Sequence, residues 1–406
     1  MKNFFFALVL CPALGWASLS PVLAQSTLIP PGTISFKKGL GFVDPDSTFS
    51  MNIRFRMQNR IMYNSTSQTD LRAAELEARV MRLRLRLEGF MYHPKLTYYV
   101  QLSFSRGDMD WNVRDNSAIN SSPNVVRDAV LMYNPIRPLT LIFGQTKLPG
   151  NRQRVVSSGE QQFVDRSIVN ATYNIDRDFG IQAYYTNHLE GFYYSVRTAI
   201  TTGEGRNVTS TDAGLAYTGR LELLPFGAFT NLGDYFEGDL EREKTPKLSL
   251  AGGYSYNEKA RRTGGQLGRD LFSQRDIKTI IFDGLLKFRG VALYAEYMDR
   301  NVDDPITTSN GSPARYVITG NGQLYQASYY FKNTFEITGR YAVVTPSKPV
   351  WEFENQEEVL TGGLNKYLRR HRLKLLGNVS YHKLTTLHLP ATRSYWNVAF
   401  QIESGI

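Results

Sequence analysis

The sequence predicts an all-β chain that crosses a membrane as an up-and-down antiparallel β-barrel of about 16 strands, with one loop folded inward. Three observations predict it. Apolar and polar residues alternate with period two along most of the chain, and the links between alternating segments are short and long in turn. Outside the N-terminus, no run approaches the ~18–20 apolar residues a spanning helix needs, yet 13% of the 406 residues are aromatic. Successive side chains of a strand point to opposite faces, so alternation gives each strand one apolar and one polar face. Strands of about 9–12 residues cross a bilayer at a tilt. The aromatic content excludes a disordered chain.

The chain opens with Lys2 and Asn3 before an apolar stretch from Phe4 to Leu10, and Val22-Leu23-Ala24 forms a small-residue cleavage site before Gln25. This is the pattern of a secretory signal peptide over residues 1–24. Pro12, Gly15 and Pro21 argue against a helix of the mature fold. The one cysteine, Cys11, lies in this segment and follows Leu10 rather than the small residue of a lipidation site. Without it, disulfides and thiol chemistry are excluded. Residues 25–47 are a short periplasmic segment without a heptad pattern, and residues 48–406 are the barrel.

The first strand reads Phe49-Ser50-Met51-Asn52-Ile53-Arg54-Phe55-Arg56-Met57-Gln58, apolar at every odd position. Met81 to Glu88 repeats the pattern with Arg82, Arg84 and Arg86 on the polar side. Later segments include Leu96 to Phe104, Phe179 to Tyr185, Leu215 to Leu223, Leu248 to Tyr256, Leu373 to Tyr381 and Trp396 to Ile402. Tight links fall at 93–95, 134–138, 187–191, 289–290, 332–334 and 367–371. Long polar links fall at 60–77, 107–123, 148–176, 201–212, 258–276, 301–321, 344–356 and 382–393. The acidic, glycine-rich link 225–246 breaks the alternation. A transmembrane barrel separates short periplasmic turns from long external loops in this way, and its closure satisfies the backbone groups that lipid cannot. A secreted sandwich or solenoid has no reason to sort loop length by end.

Catalytic and metal-binding signatures are poor. His93, His188 and His371 fall in turns and His382 and His388 in a loop, none at ligand spacing, so they read as solvated. Asp108-Met109-Asp110-Trp111-Asn112 begins like a calcium loop, but Val113 and Ile119 stand where glycine and an acid are needed. Gly203-Glu204-Gly205 lacks a third glycine and a helix, and no serine sits in a nucleophile elbow. The expectation is therefore no enzyme, no cofactor, no metal and no nucleic-acid partner.

The polar faces carry the functional expectation. Arg54 and Arg56 on one strand and Arg82, Arg84 and Arg86 on the next should line one patch of inner wall. Arg197, Arg220, Arg340, Arg372 and Lys374 also fall on polar faces, against Glu88, Glu222, Asp283, Glu296 and Glu336. A basic lumen bounded by low-dielectric walls favours anions. The alternative reading is a basic strip neutralised by an inward loop, in a plugged structural or assembly barrel that docks partner proteins.

The link 148–176 is the longest and follows the fifth strand. The run Gly144-Gln145-x-Lys147-x-Pro149, then Phe163-Val164-Asp165-Arg166-Ser167, then Arg177-Asp178-x-Gly180 resembles the phosphate-selective porin O and P family. Arg54 to Arg60 and Thr218-Gly219-Arg220 followed by Pro225-Phe226-Gly227 look like the branch of that family found in Bacteroidetes-type bacteria. The resemblance covers most of residues 36–402. It implies a homotrimeric porin among the lipids of a Gram-negative outer membrane, passing small anions such as phosphate through a basic constriction. The anion path implied here comprises Arg54, Arg56, Arg82, Arg84, Arg86, Lys147, Arg152, Arg154 and Arg166. Pro149 is followed by Gly150-Asn151 where the family usually has an aromatic. No residue identifies a lipoprotein partner.

Overall fold

The computed structural model describes residues 32, 34–36, 39–105, 125–208, 214–389 and 391–406. The expected signal segment and the calcium-like run near Asp108 lie outside them. Twenty strands form: β1 (Ile34–Ser35), β2 (Leu40–Val43), β3 (Ser50–Ser65), β4 (Ala73–Met91), β5 (His93–Ser103), β6 (Val126–Tyr133), β7 (Leu139–Lys147), β8 (Arg177–Leu189), β9 (Phe192–Thr201), β10 (Ala216–Leu224), β11 (Lys247–Arg262), β12 (Asp270–Phe288), β13 (Val291–Asn301), β14 (Ile306–Ser309), β15 (Ser312–Tyr316), β16 (Gly320–Tyr330), β17 (Phe335–Pro346), β18 (Asn355–Tyr367), β19 (Leu373–Thr386) and β20 (Ala391–Gly405). Strands β3–β13 and β16–β20 pair antiparallel in sequence order, and β20 closes on β3, giving a barrel of sixteen strands.

Closure involves the N-terminal segment. β20 pairs with β3 only as far as Gly405 opposite Arg56, and β2 then takes its place opposite Ile53 to Ser50. The outward faces are apolar, as the alternation requires: Ile61, Phe143, Ile181, Phe282 and Leu360 are all exposed on the outer surface. The short turns carry matching chemistry. Glu190-Gly191 and Arg289-Gly290 both have positive φ at both residues, the geometry that tightens a two-residue hairpin without splaying its strands.

Several links expected to be long are short. β3 runs to Ser65 and β4 begins at Ala73; β11 and β12 extend the hairpin to Arg262 and Asp270. Pairing continues where both faces are wet, so the ladder outlasts the apolar alternation that marks it in sequence. A bulge between Gln58 and Asn59, opposite Arg82 and Val80, shifts the phase of β4. Arg372 lies in the turn before β19 rather than on a strand face.

The lumen is half filled. Loop 148–176 folds inward with two short helices, α1 (Arg152–Val155) and α2 (Ile168–Tyr173). Leu148, Val169, Tyr173 and Ile175 of this loop pack on Ile281, Leu285, Tyr294, Met298, Leu324, Ala342 and Val344 of β12–β17. At these positions β12, β13, β16 and β17 are apolar on both faces. Full burial of Leu148 and of Val169 contributes about 1.5–3 kcal/mol each. Gly150 allows the return: a Cβ there would stand 2.7 Å from the Cβ of Ile175. The link 225–246 also folds inward, from the short-turn end.

Candidate functional site: the basic wall of the lumen

Register places the five strand arginines together. Arg54 is opposite Arg86, Arg56 opposite Arg84, and Gln58 opposite Arg82 on adjacent strands β3 and β4. Like charges facing one another destabilise a strand pair, and carboxylates stand among them. Glu88 lies 3.5 Å from Arg54 and also pairs with Arg86, while Glu403 of β20 lies 3.4 Å from Arg56. Arg82 donates to Oε1 of Gln58 at 2.7 Å. Arg86 lies over the ring of Tyr99, 4.6 Å from its centroid.

The inward loop stands opposite this wall. Arg84 donates to the Ser158 hydroxyl at 2.8 Å, and Gln58 Nε2 donates to the Ser158 carbonyl at 3.1 Å. Gly159 lies so close that a Cβ there would fall 0.9 Å from Nη1 of Arg56. The Ser157 hydroxyl accepts from the Gly159 N–H and lies 3.5 Å from Nη1 of Arg56. Serine hydroxyls and guanidinium groups thus converge where the loop tip meets β3 and β4.

The four remaining expected residues divide. Arg152 is buried and far from this gap: it donates to Asp283 at 2.6 Å, to the Ser249 hydroxyl at 2.7 Å and to the Asp234 carbonyl at 2.9 Å. It clamps the loop to β11 and β12. Arg154 pairs with Asp176 at the far end of the loop. Burial opposes ionisation of Asp176, but Arg154 and Arg177 overcome it and hold its carboxyl well below the usual range. Lys147 donates to the carbonyls of Val155 and Val156, and Arg166 to those of Gln153 and Val156. Neither has a carboxylate within ion-pair distance among the described residues. Burial, then the positive charges of Arg154, Arg82 and Arg84, push the Arg166 guanidinium well below its ordinary pKa.

Accessibility distinguishes two halves of the lumen. The side chains of Arg86 and Arg54 are 39% and 30% exposed, whereas those of Arg220 and Asp283 are fully buried. On the covered half the acids serve the loop. Glu222 and Asp283 receive Arg220, Glu296 receives Asn151 Nδ2 at 3.3 Å, and Glu336 receives Gln162 at 2.6 Å. Arg340 donates to the Asp165 carbonyl and lies 4.4 Å over Phe163, and Lys374 donates to the Gln161 carbonyl. Alternation reveals that these residues face inward; which of them meet the loop depends on how the loop folds. His371, read as solvated, instead packs edge-on against Phe236 and Tyr367. His382 lies within β19, stacked on Tyr395 and 2.9 Å from Glu357.

A family model described as phosphate-selective porin O and P matches residues 51–386. No curated protein matches in sequence. Solved structures share the fold at low identity. The outer-membrane channel DcaP of Acinetobacter baumannii is 11% identical with a TM-score of 0.55, over 91% of this chain and 100% of that one. An anion-selective porin from Comamonas acidovorans is 15% identical with a TM-score of 0.53, over 88% and 100%. OprB of Pseudomonas putida is 12% identical with a TM-score of 0.55, over 88% and 94%.

Proposed function

The chain belongs to the phosphate-selective porin O and P family, an outer-membrane porin in fold and location, and from that premise we propose that it passes small anions along its arginine wall. One observation carries this reading: on the constriction wall the side chains of Arg54, Arg56 and Arg86 are 30%, 19% and 39% exposed, with Arg82 and Arg84 beside them on β4. An anion entering the gap exchanges water for guanidinium forks and serine hydroxyls. Arginine suits phosphate-like solutes because its planar fork binds two oxygens at once and stays charged at any working pH. Lys147 and Arg166 bond to backbone carbonyls of the loop and brace it from within. Arg152 and Arg154 contribute by holding the loop in place.

The family and fold point to a channel rather than an enzyme. The name of the Comamonas neighbour accords with anion preference, and the family description with phosphate. We extend the proposal to a homotrimer, which crosslinking of the purified protein tests. The plugged-barrel reading draws on the filled half of the lumen. Planar-bilayer recordings discriminate: the proposal requires chloride current that falls as millimolar phosphate is added, and a barrel without conductance overturns it.

A further inference from the structure

The link 225–246 enters the lumen from the short-turn end and is tied both to the constriction loop and to the barrel wall. The Glu237 N–H donates to the Glu160 carbonyl at 2.9 Å. One Glu237 carboxylate oxygen accepts from the Gln162 N–H at 2.9 Å and lies 3.3 Å from Nε2 of Gln326; the other lies 3.5 Å from Nε2 of Gln153. Glu237 therefore holds the loop at three points, one before the Ser157–Glu160 tip and two at its end. Its neighbour Gly238 has φ of +72°, and a Cβ there would stand 2.4 Å from Glu336 Oε1 and 2.9 Å from Gln162 Nε2.

The link itself is fixed to the barrel below. Lys287 donates to the carbonyls of Gly233 and Phe236 at 2.6 and 2.7 Å. Asp239 accepts from the Gly290 N–H at 2.6 Å and the Glu243 carbonyl from the Arg289 N–H at 2.9 Å, tying the link to the β12–β13 turn. Arg242 reaches the Tyr330 carbonyl. A floor anchored at several barrel strands thus ends in one carboxylate that grips the loop.

We propose that Glu237 is a positioning residue for the constriction: from the periplasmic side it presses the loop tip against Arg56 and Arg84 and so sets the width of the solute path. The contact is tight on the far side as well, since Gly159 leaves no room for a Cβ beside Arg56. Without the Glu237 carboxylate the tip loses its bonds from the Gln162 N–H and the Gln153 amide and keeps only the backbone bond between the Glu237 N–H and the Glu160 carbonyl, while the apolar packing of Leu148, Val169 and Tyr173 still holds the loop's ends. The tip alone should then move.

The inference rests on the channel reading above. The test is single-channel recording of wild type, Glu237→Ala and Glu237→Gln in planar bilayers, with heat-modifiable gel mobility as the control for an intact barrel. The expected result for Glu237→Ala is higher conductance, added open-channel noise and a smaller anion-directed reversal potential, with the barrel intact. Glu237→Gln keeps an acceptor for the Gln162 N–H and should lie nearer wild type. If Glu237→Ala does not assemble, Gly238→Ala should produce the same noise by displacing the link from Glu336. A conducting wild type with unchanged conductance and noise in an intact variant overturns this inference alone. A wild type that does not conduct overturns the channel reading with it.

Discussion

At the scale of residues, the lumen divides its arginines by task, and burial decides which task each has. Arg152 is enclosed with Asp283 and Glu222, and its guanidinium is fully engaged. Removing one partner of such a pair leaves the other charge buried and uncompensated, which costs about 3–5 kcal/mol. Arg152→Ala should therefore lower the midpoint of the heat-modifiable gel shift. Arg86→Ala should leave that midpoint unchanged, because its exposed ion pair with Glu88 is worth at most about 1 kcal/mol. Equal loss at the two sites would show that the clamp and the wall are not distinct.

At the scale of elements, each strand has a lipid face and a lumen face, and one residue's step changes which solvent a side chain meets. Val398 of β20 is exposed outward, whereas the adjacent Asn397 faces inward and donates to Asn64 at 2.7 Å. Val398→Arg should destabilise the barrel by about 2–4 kcal/mol if the site lies near the bilayer midplane, while Asn397→Arg should be tolerated. Urea unfolding of the two variants in lipid vesicles measures the difference, and equal sensitivity would refute the register. The same period-two signal made the strands and the shared inner face of Arg54, Arg56, Arg82, Arg84 and Arg86 legible in sequence. It fails on β12, where Ile280 faces lipid and Ile281 is fully buried against the inward loop. Alternation reports polarity, and here both faces are dry. The inward course of link 225–246 was equally hidden. In sequence it is only an acidic, glycine-rich link that breaks the alternation, whereas Glu237 and Asp239 are buried in hydrogen bonds to other segments.

At the scale of the whole molecule, closure of sixteen strands satisfies the backbone in lipid, and the inward loop crosses the tube to meet the arginine wall. The mature protein should sediment with outer membranes and run as a heat-modifiable band on gels, since a closed barrel resists detergent unfolding until heated. Recovery as a soluble periplasmic monomer would contradict the architecture. The asymmetry of the lumen follows from the distribution of side chains. Apolar residues and acids on β10–β18 receive the loop, and Arg54, Arg56 and Arg86 of β3 and β4 keep part of their surface in water.

The central claim is that this wall sets the charge preference of the pore. Residues two apart on β4 stand roughly 7 Å apart along the strand. That is less than the ~8 Å Debye length at physiological salt, so an anion leaving one guanidinium already feels the next. Closely spaced weak sites permit entry without trapping. The most direct measurement is the reversal potential of single channels in asymmetric potassium chloride, for wild type and for Arg82→Glu with Arg84→Glu and Arg86→Glu. The wild type should prefer anions, and the triple variant should shift towards cations while still conducting. A cation-selective wild type, or a triple variant with unchanged reversal potential, would contradict the account.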